Sequence, residues 1–306
     1  MDMPERLKPP RLQPGAVIGV AAVSGPVDAE KLDSGIASLR AKGYRIVEAS
    51  NLRRRAGLFA GTDDERAEGY RRLLTDGRVD AVFFARGGYG SSRILKFLAP
   101  EEARAHPKIH LGASDLTALF AFLRRHCRLV TFYGPMVAVE MSDSTDLDWE
   151  SVLSGSTPAT HAFAPEDVLA HGSAEGELVG GCLSLVASLA GTPEAIEARG
   201  AILFWEDTRE EMYRLDRLLT QLERSGNLDG LRGMLIGSVV PRVPTDSPDQ
   251  IGEYLRSRLE TSRFPVARHF PAGHLDRPRT LPLGTRVRLD LGDAPTLTFL
   301  EPGVQP

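Results

Sequence analysis

Over about its first 140 residues the chain alternates between short apolar runs and amphipathic helical patterns, and this constrains the fold more than any other feature. A buried strand over 16–23, "AVIGVAAV", runs into a Gly-Pro turn, and a helical pattern follows from Ala29 to Lys42, closed by Gly43. "YRIVEAS" predicts a second strand, and Asp63 to Asp76 a second amphipathic helix. "VDAVFFARGGYGSSRILKFL" supplies a strand, a glycine loop and a helix. "KIHLGASDLTALFAFLRRHC" repeats the cycle, and "LVTFYGP" adds one more strand. Strands that alternate with helices form a parallel sheet covered on both faces. Ligands of such sheets bind beyond the carboxyl ends of the strands, so chemistry is expected at the loops Gly87–Gly90 and Gly112–Asp115.

The pattern breaks after Met141. As far as Gly176 the chain is rich in Ser, Thr, Asp, Pro and His with little periodicity, which reads as a connection. Beyond it, "GELVGGCLSLVASLAGTPEA" predicts a strand, a glycine turn and a helix. "GAILFWEDT" reads as a buried strand, "EEMYRLDRLLTQLERSG" as a helix and "GMLIGSVV" as a strand. "TRVRLDLGDAPTLTFLEP" alternates like a hairpin with one wet face. The expectation is an α/β protein of 306 residues: a parallel-sheet domain over 1–145, a linker over 146–175, and a smaller, mixed, β-rich domain over 176–306.

Charge and composition narrow the function. The net charge is −4 with both signs interspersed, so no basic stripe points to nucleic acid and no polybasic tail to a membrane. No run approaches eighteen apolar residues, and "MDMPERLKPPRLQPG" holds no signal core, so a cytoplasmic location is expected. Two cysteines, Cys127 and Cys182, are too few for a disulfide framework or a zinc site.

Four segments could carry chemistry. In "GASDL", Ser114 stands at a strand–helix corner, where it reads either as a nucleophile or, like Asp115, as a helix cap. "ARGGYGSS" lets backbone N–H groups approach an anion, but it is neither a dinucleotide fingerprint nor a P-loop, so no cofactor is expected. Glu206 ends an apolar strand, where a carboxylate must be solvated, paired or functional, and Asp207 could cap a helix starting near Glu210. His274 follows a glycine in the proline-rich loop "FPAGHLDRPRTLPLG". His106 and His110 are four apart, but Pro107 keeps them off a shared helical face, so no metal is expected.

Together these segments resemble the LD-carboxypeptidase family, serine peptidases that include muramoyltetrapeptide carboxypeptidases and microcin C immunity peptidases. The likeness is carried by "VSGPV" (23–27), "ARGGYGSSRIL" (86–95), "GASDLTAL" (112–119) and "YGPM" (133–136). It continues through "GGCLSLVASLAGTP" (180–193), "ILFWED" with "YRLDRLLTQL" (202–222), and "GH…LPLG" (273–284). The resemblance implies a flavodoxin-like first domain carrying the nucleophile Ser114. It implies a second domain supplying the base His274 and the acid Glu206, with the active site at the domain interface.

Backbone N–H groups of Asp115 and Gly88 are then candidates for an oxyanion hole. The implied reaction hydrolyses the amide between an L-centre and the terminal D-alanine of a murein tetrapeptide, in cell-wall recycling, without a metal. Arg86, Arg242, Arg277 and Arg279 are available for the substrate carboxylate, with Arg86 and Tyr89 in the glycine loop the binding candidates. Family members are commonly homodimers. The sequence departs from the family at Cys182, where asparagine is common, and at Leu275, where glycine is. The alternatives are an immunity-type peptidase acting on peptidyl or aminoacyl nucleotide conjugates, a noncatalytic two-domain binding protein and, more remote, a nucleotide-binding oxidoreductase.

Overall fold

The structure is a computed structural model that describes residues 6–143, 148–242 and 248–306. Its early elements follow the expected alternation: β1 (Val17–Ala21), α1 (Ala29–Ala41), β2 (Arg45–Glu48), α2 (Asp63–Thr75), β3 (Ala81–Phe84), α3 (Ser91–Ile94), α4 (Pro100–Ala105), β4 (Ile109–Gly112), α5 (Leu116–Phe122), β5 (Thr131–Tyr133) and α6 (Glu140–Asp143). Helix starts are written in local chemistry. Asp28 accepts the Lys31 N–H at the start of α1. Thr62 and Glu65 form a reciprocal capping box on α2, satisfying two amides that the helix cannot.

The later elements are α7 (Trp149–Leu153), β6 (His161–Ala162), β7 (Val168–Ala170), β8 (Gly172–Cys182), α8 (Leu183–Ser188), β9 (Ala201–Glu210), α9 (Met212–Arg224), β10 (Gly233–Pro241), α10 (Pro248–Leu259), β11 (Val266–Ala267), β12 (Leu281–Leu283), β13 (Arg286–Leu291) and β14 (Thr296–Phe299). Contacts divide the chain into two units. The first holds the residues up to Ser156 with Asp276–Gly284 and Pro302–Pro306, and the second holds Thr157–Leu275 with Thr285–Glu301.

The first unit is built on a six-stranded sheet of order β12-β5-β4-β3-β1-β2. Strands β1 to β5 are parallel, in the 2-1-3-4-5 order of flavodoxin-like folds. Val20, Phe83, Phe84, Leu111 and Phe132 are fully buried in its core. Strand β12 returns from late in the chain to pair antiparallel with β5, a long-range contact that the contiguous division at 145 and 176 does not contain.

The second unit is an eight-stranded mixed sheet of order β6-β14-β13-β8-β9-β10-β11-β7. Its centre, β8 to β11, is parallel and its flanks are antiparallel. The hairpin of β13 and β14 alternates buried and wetter residues as expected.

Two readings are corrected. Within the stretch read as a linker, α7, β6, β7 and the start of β8 are formed; α7, β6 and β7 are only five, two and three residues long and β8 begins on polar residues, too little apolar periodicity to be read locally. Gly180 and Gly181 are not a turn. They lie in β8 opposite Phe204 and Trp205 of β9, and a Cβ on Gly180 would sit 1.7 Å from the Phe204 carbonyl oxygen. Among the described residues no helix is long and apolar enough to cross a membrane.

Candidate active site

In the first unit, the carboxyl ends of β1, β3 and β4 carry the segments that the sequence singles out. At the end of β4 the chain turns through Ala113 and Ser114 into α5. Ser114 has a φ of 61°, the left-handed region, which costs a non-glycine residue about 1–2 kcal/mol. Its neighbours hold it there. The Ser114 N–H donates to the Tyr133 hydroxyl at 2.9 Å, and its carbonyl accepts from the Thr117 N–H at 2.9 Å and the Thr117 hydroxyl at 2.7 Å. The start of α5 has no side-chain cap, so neither Ser114 nor Asp115 plays the capping role.

The glycine loop after β3 crosses in front of this corner. A Cβ on Gly87 would lie 2.8 Å from the Ser114 Cβ, 3.0 Å from its Oγ and 3.3 Å from the Asp115 nitrogen. Only a glycine there leaves room before the hydroxyl and the amide at the helix start. Among the described residues, the N–H groups of Asp115 and Gly88 donate to no other group. Arg66 is fully buried and donates to the carbonyls of Val23 and, at 2.8 Å, of Gly90, tying the loops after β1 and β3 together. Tyr89 is 51% exposed with its ring 5.6 Å from that of Phe59, while Arg86 donates to the Pro26 carbonyl at 2.8 Å.

In the second unit, β9 is buried from Ala201 through Asp207, and Glu206 has no exposed surface. Burying a carboxylate alone is costly, so its partner matters. Glu206 Oε2 lies 2.7 Å from His274 Nδ1 and accepts the His274 backbone N–H at 3.2 Å. A carboxylate can only accept, so this contact places the imidazole proton on Nδ1 and makes Nε2 the basic nitrogen. The imidazole is 26% exposed. The loop before it is stitched to β10 by Phe270 N–H to Ile236 and Ser238 N–H to Ala272, both at 3.0 Å. Gly273 has a φ of 106°, and a Cβ there would stand 2.6 Å from Glu206 Oε2.

Cys182 pairs with Glu206 across β8 and β9 and is buried. Its Sγ lies 3.2 Å from the Ser184 hydroxyl and 3.6 Å from Asp207 Oδ1. Asp207 does not cap a helix near Glu210. Its Oδ2 accepts the Ser184 N–H at 2.8 Å at the start of α8, which only the neighbouring strand could bring to it.

Burial first, opposed by the N–H groups of Ser184 and Thr208, pushes the Asp207 carboxyl up to about 6. The folded chain therefore holds this proton more tightly than the unfolded chain. The stability it contributes is full below pH about 4 and lost as pH rises through about 6, a change of roughly 3 kcal/mol. Asp207→Asn removes the titration. Urea unfolding at a series of pH values is expected to show the variant gaining roughly 3 kcal/mol on wild type between about pH 3 and pH 8. A pH-independent difference would refute the assignment.

Of the arginines considered for a substrate carboxylate, Arg242 and Arg277 are exposed, and Arg279 lies 3.7 Å from Asp148. Leu275 is 37% exposed. Ser24, Ser91 and Tyr133 carry no individual signal in the sequence, although each falls inside a family motif. Among the described residues no group of three or more His, Cys, Asp or Glu side chains could hold a metal ion.

Residues 18–134 match the LD-carboxypeptidase N-terminal domain and residues 175–289 the LD-carboxypeptidase C-terminal domain. A provisionally named carboxypeptidase of Streptomyces coelicolor is 40% identical over 99% of both chains. The probable murein peptide carboxypeptidase of Bacillus subtilis is 33% identical, over 94% of this chain and 92% of its own. The microcin C7 self-immunity protein of Escherichia coli is 26% identical over 90% of this chain and 91% of its own.

Among solved structures, muramoyltetrapeptide carboxypeptidase from Oxalobacter formigenes superposes with a TM-score of 0.80 at 30% identity, over 92% of this chain and 97% of that one. The microcin immunity protein MccF in complex with glutamyl sulfamoyl guanosine gives 0.88 at 24% identity over 98% and 100%, a likeness of fold. The chain belongs to the LD-carboxypeptidase family. That family includes both murein peptide carboxypeptidases and the immunity peptidase.

Proposed function

We propose that the protein is a serine LD-carboxypeptidase that releases the terminal D-alanine of murein tetrapeptides, with Ser114, His274 and Glu206 as its triad. The observation that carries this reading is the buried Glu206 carboxylate on Nδ1 of the partly exposed His274. That pairing supplies a base with a defined tautomer. His274 Nε2 takes the Ser114 proton as Oγ attacks the peptide carbonyl. Glu206 steadies the imidazolium that forms, and the N–H groups of Asp115 and Gly88 receive the oxyanion. His274 then returns the proton to the departing amine, and water resolves the acyl-enzyme by the same route. The setting is cell-wall recycling in the cytoplasm, by a homodimer.

The murein substrate is favoured by identities of 40% and 33% to carboxypeptidases against 26% to the immunity protein. The test is incubation with L-Ala-γ-D-Glu-mDap-D-Ala, following free D-alanine. Release supports the reading. No release, together with cleavage of aspartyl sulfamoyl adenosine, would move the substrate to the nucleotide-conjugate class.

Gly87→Ala checks the space before the nucleophile. The added Cβ meets Ser114 and the Asp115 amide, so kcat/KM is expected to fall on the order of 100- to 1000-fold, as when an oxyanion donor is lost. Activity within threefold of wild type would show that the substrate does not use that space.

A further inference from the structure

The carboxylate of Asp115 stands in the cap position of α5 and does not cap that helix. It is 1% exposed, and instead of accepting from the first amides of α5 it faces the neighbouring loops. Its Oδ2 accepts the Ser24 hydroxyl at 2.5 Å and the Ser91 N–H at 2.7 Å. The Ser91 hydroxyl donates back to the Asp115 carbonyl. Ser24 and Ser91 are themselves fully buried, and the Asp115 Oδ1 has no partner among the described residues. A carboxylate buried with so few donors is expensive to keep, and capping its own helix does not account for it.

The connections account for it. Ser24 follows β1, Ser91 closes the glycine loop after β3, and Asp115 follows β4, so one oxygen joins three loops at one edge of the sheet. A second tie runs beside it, from the Gly25 N–H to the Gly87 carbonyl at 3.1 Å. Gly88 lies between these two ties, and the Asp115 N–H belongs to the residue whose side chain makes the first. The two N–H groups assigned to the oxyanion therefore sit on the two segments that this carboxylate links.

We infer that Asp115 is a positioning residue whose side chain, through Ser24 and Ser91, sets the spacing between the Asp115 and Gly88 N–H donors. This rests on the triad reading above. The role belongs to the transition state, where the oxyanion exists, and not to ground-state binding.

Three variants test it: Asp115→Asn, Ser24→Ala and the double variant, each assayed for tetrapeptide hydrolysis, fluorophosphonate labelling rate and thermal midpoint. Each single change is expected to lower kcat roughly 10- to 100-fold, the cost of a small misplacement, with KM held within about threefold. Labelling should slow in parallel. The double variant should be no slower than Asp115→Asn alone, because both changes break one connection. Should Asp115→Asn fail to fold, the milder Ser24→Ala carries the test by its kcat-against-KM split. If wild type is active and both single variants keep kcat within twofold, the inference falls and the triad stands. A kcat loss that only follows a fall in thermal midpoint and active fraction would likewise overturn it in favour of a plain structural role. If wild type neither hydrolyses the peptide nor takes the label, the triad reading itself falls, and this inference with it.

Discussion

Ser114→Ala is expected to reduce kcat for peptide hydrolysis by on the order of 10⁵- to 10⁶-fold and to abolish labelling by serine reagents. The change removes only Oγ. The peptide N–H that meets the Tyr133 hydroxyl, the carbonyl that accepts from Thr117 and the free N–H of Asp115 all remain. The variant should therefore still bind substrate, and its residual rate should exceed the uncatalysed rate through the oxyanion donors alone. The left-handed backbone at 61° is strained for alanine as it is for serine, so a thermal midpoint within a few degrees of wild type is expected. The measurement is single-turnover hydrolysis beside calorimetric binding of the tetrapeptide. Turnover within tenfold of wild type would end the case for Ser114 as nucleophile.

Glu206→Gln has the next largest expected effect, roughly 10⁴-fold in kcat. Glutamine is nearly isosteric, so β9 and its contact with Gly273 should survive. What changes is the partner seen by His274. An amide N–H₂ turned toward Nδ1 would favour the tautomer with its proton on Nε2, leaving no base for the serine, and an amide oxygen there would no longer offset the imidazolium charge. The loss should fall on kcat with little change in KM, since the pair acts on the proton and not on the bound peptide. Histidine tautomer signals in nitrogen NMR provide the check independent of activity. A variant that keeps both its wild-type tautomer and kcat within tenfold would remove Glu206 from the triad.

The local code of the first unit was legible because it is local. Apolar runs such as "AVFF" and the Thr62 and Asp28 caps specify strands and helix starts from within a few residues of themselves. The crossovers then favour parallel pairing, while the 2-1-3-4-5 order is a tertiary feature that the family resemblance implied. Ser114 was visible as a corner residue for the same reason. That α5 lacks a side-chain cap was not legible, because the Asp115 carboxylate goes instead to Ser24 and Ser91, which lie 91 and 24 residues away. Glycines misled for a related reason. At Gly180 the sequence permits a turn, yet what demands glycine is the Phe204 carbonyl of another strand.

The sequence by itself determined the alternating architecture, the family motifs and their order, and which serine, glutamate and histidine stand in those motifs as candidates. Periodicity and caps act over one turn or one strand pair, and motifs are matched residue by residue. Only tertiary structure decided that Asp207 serves α8 and that Leu281–Leu283 closes the first sheet. It also decided that His274 presents Nδ1 to a carboxylate 68 residues before it. Each of these is a hydrogen bond or strand pairing between segments with no common period. Its energy exists only once the chain has already brought them together.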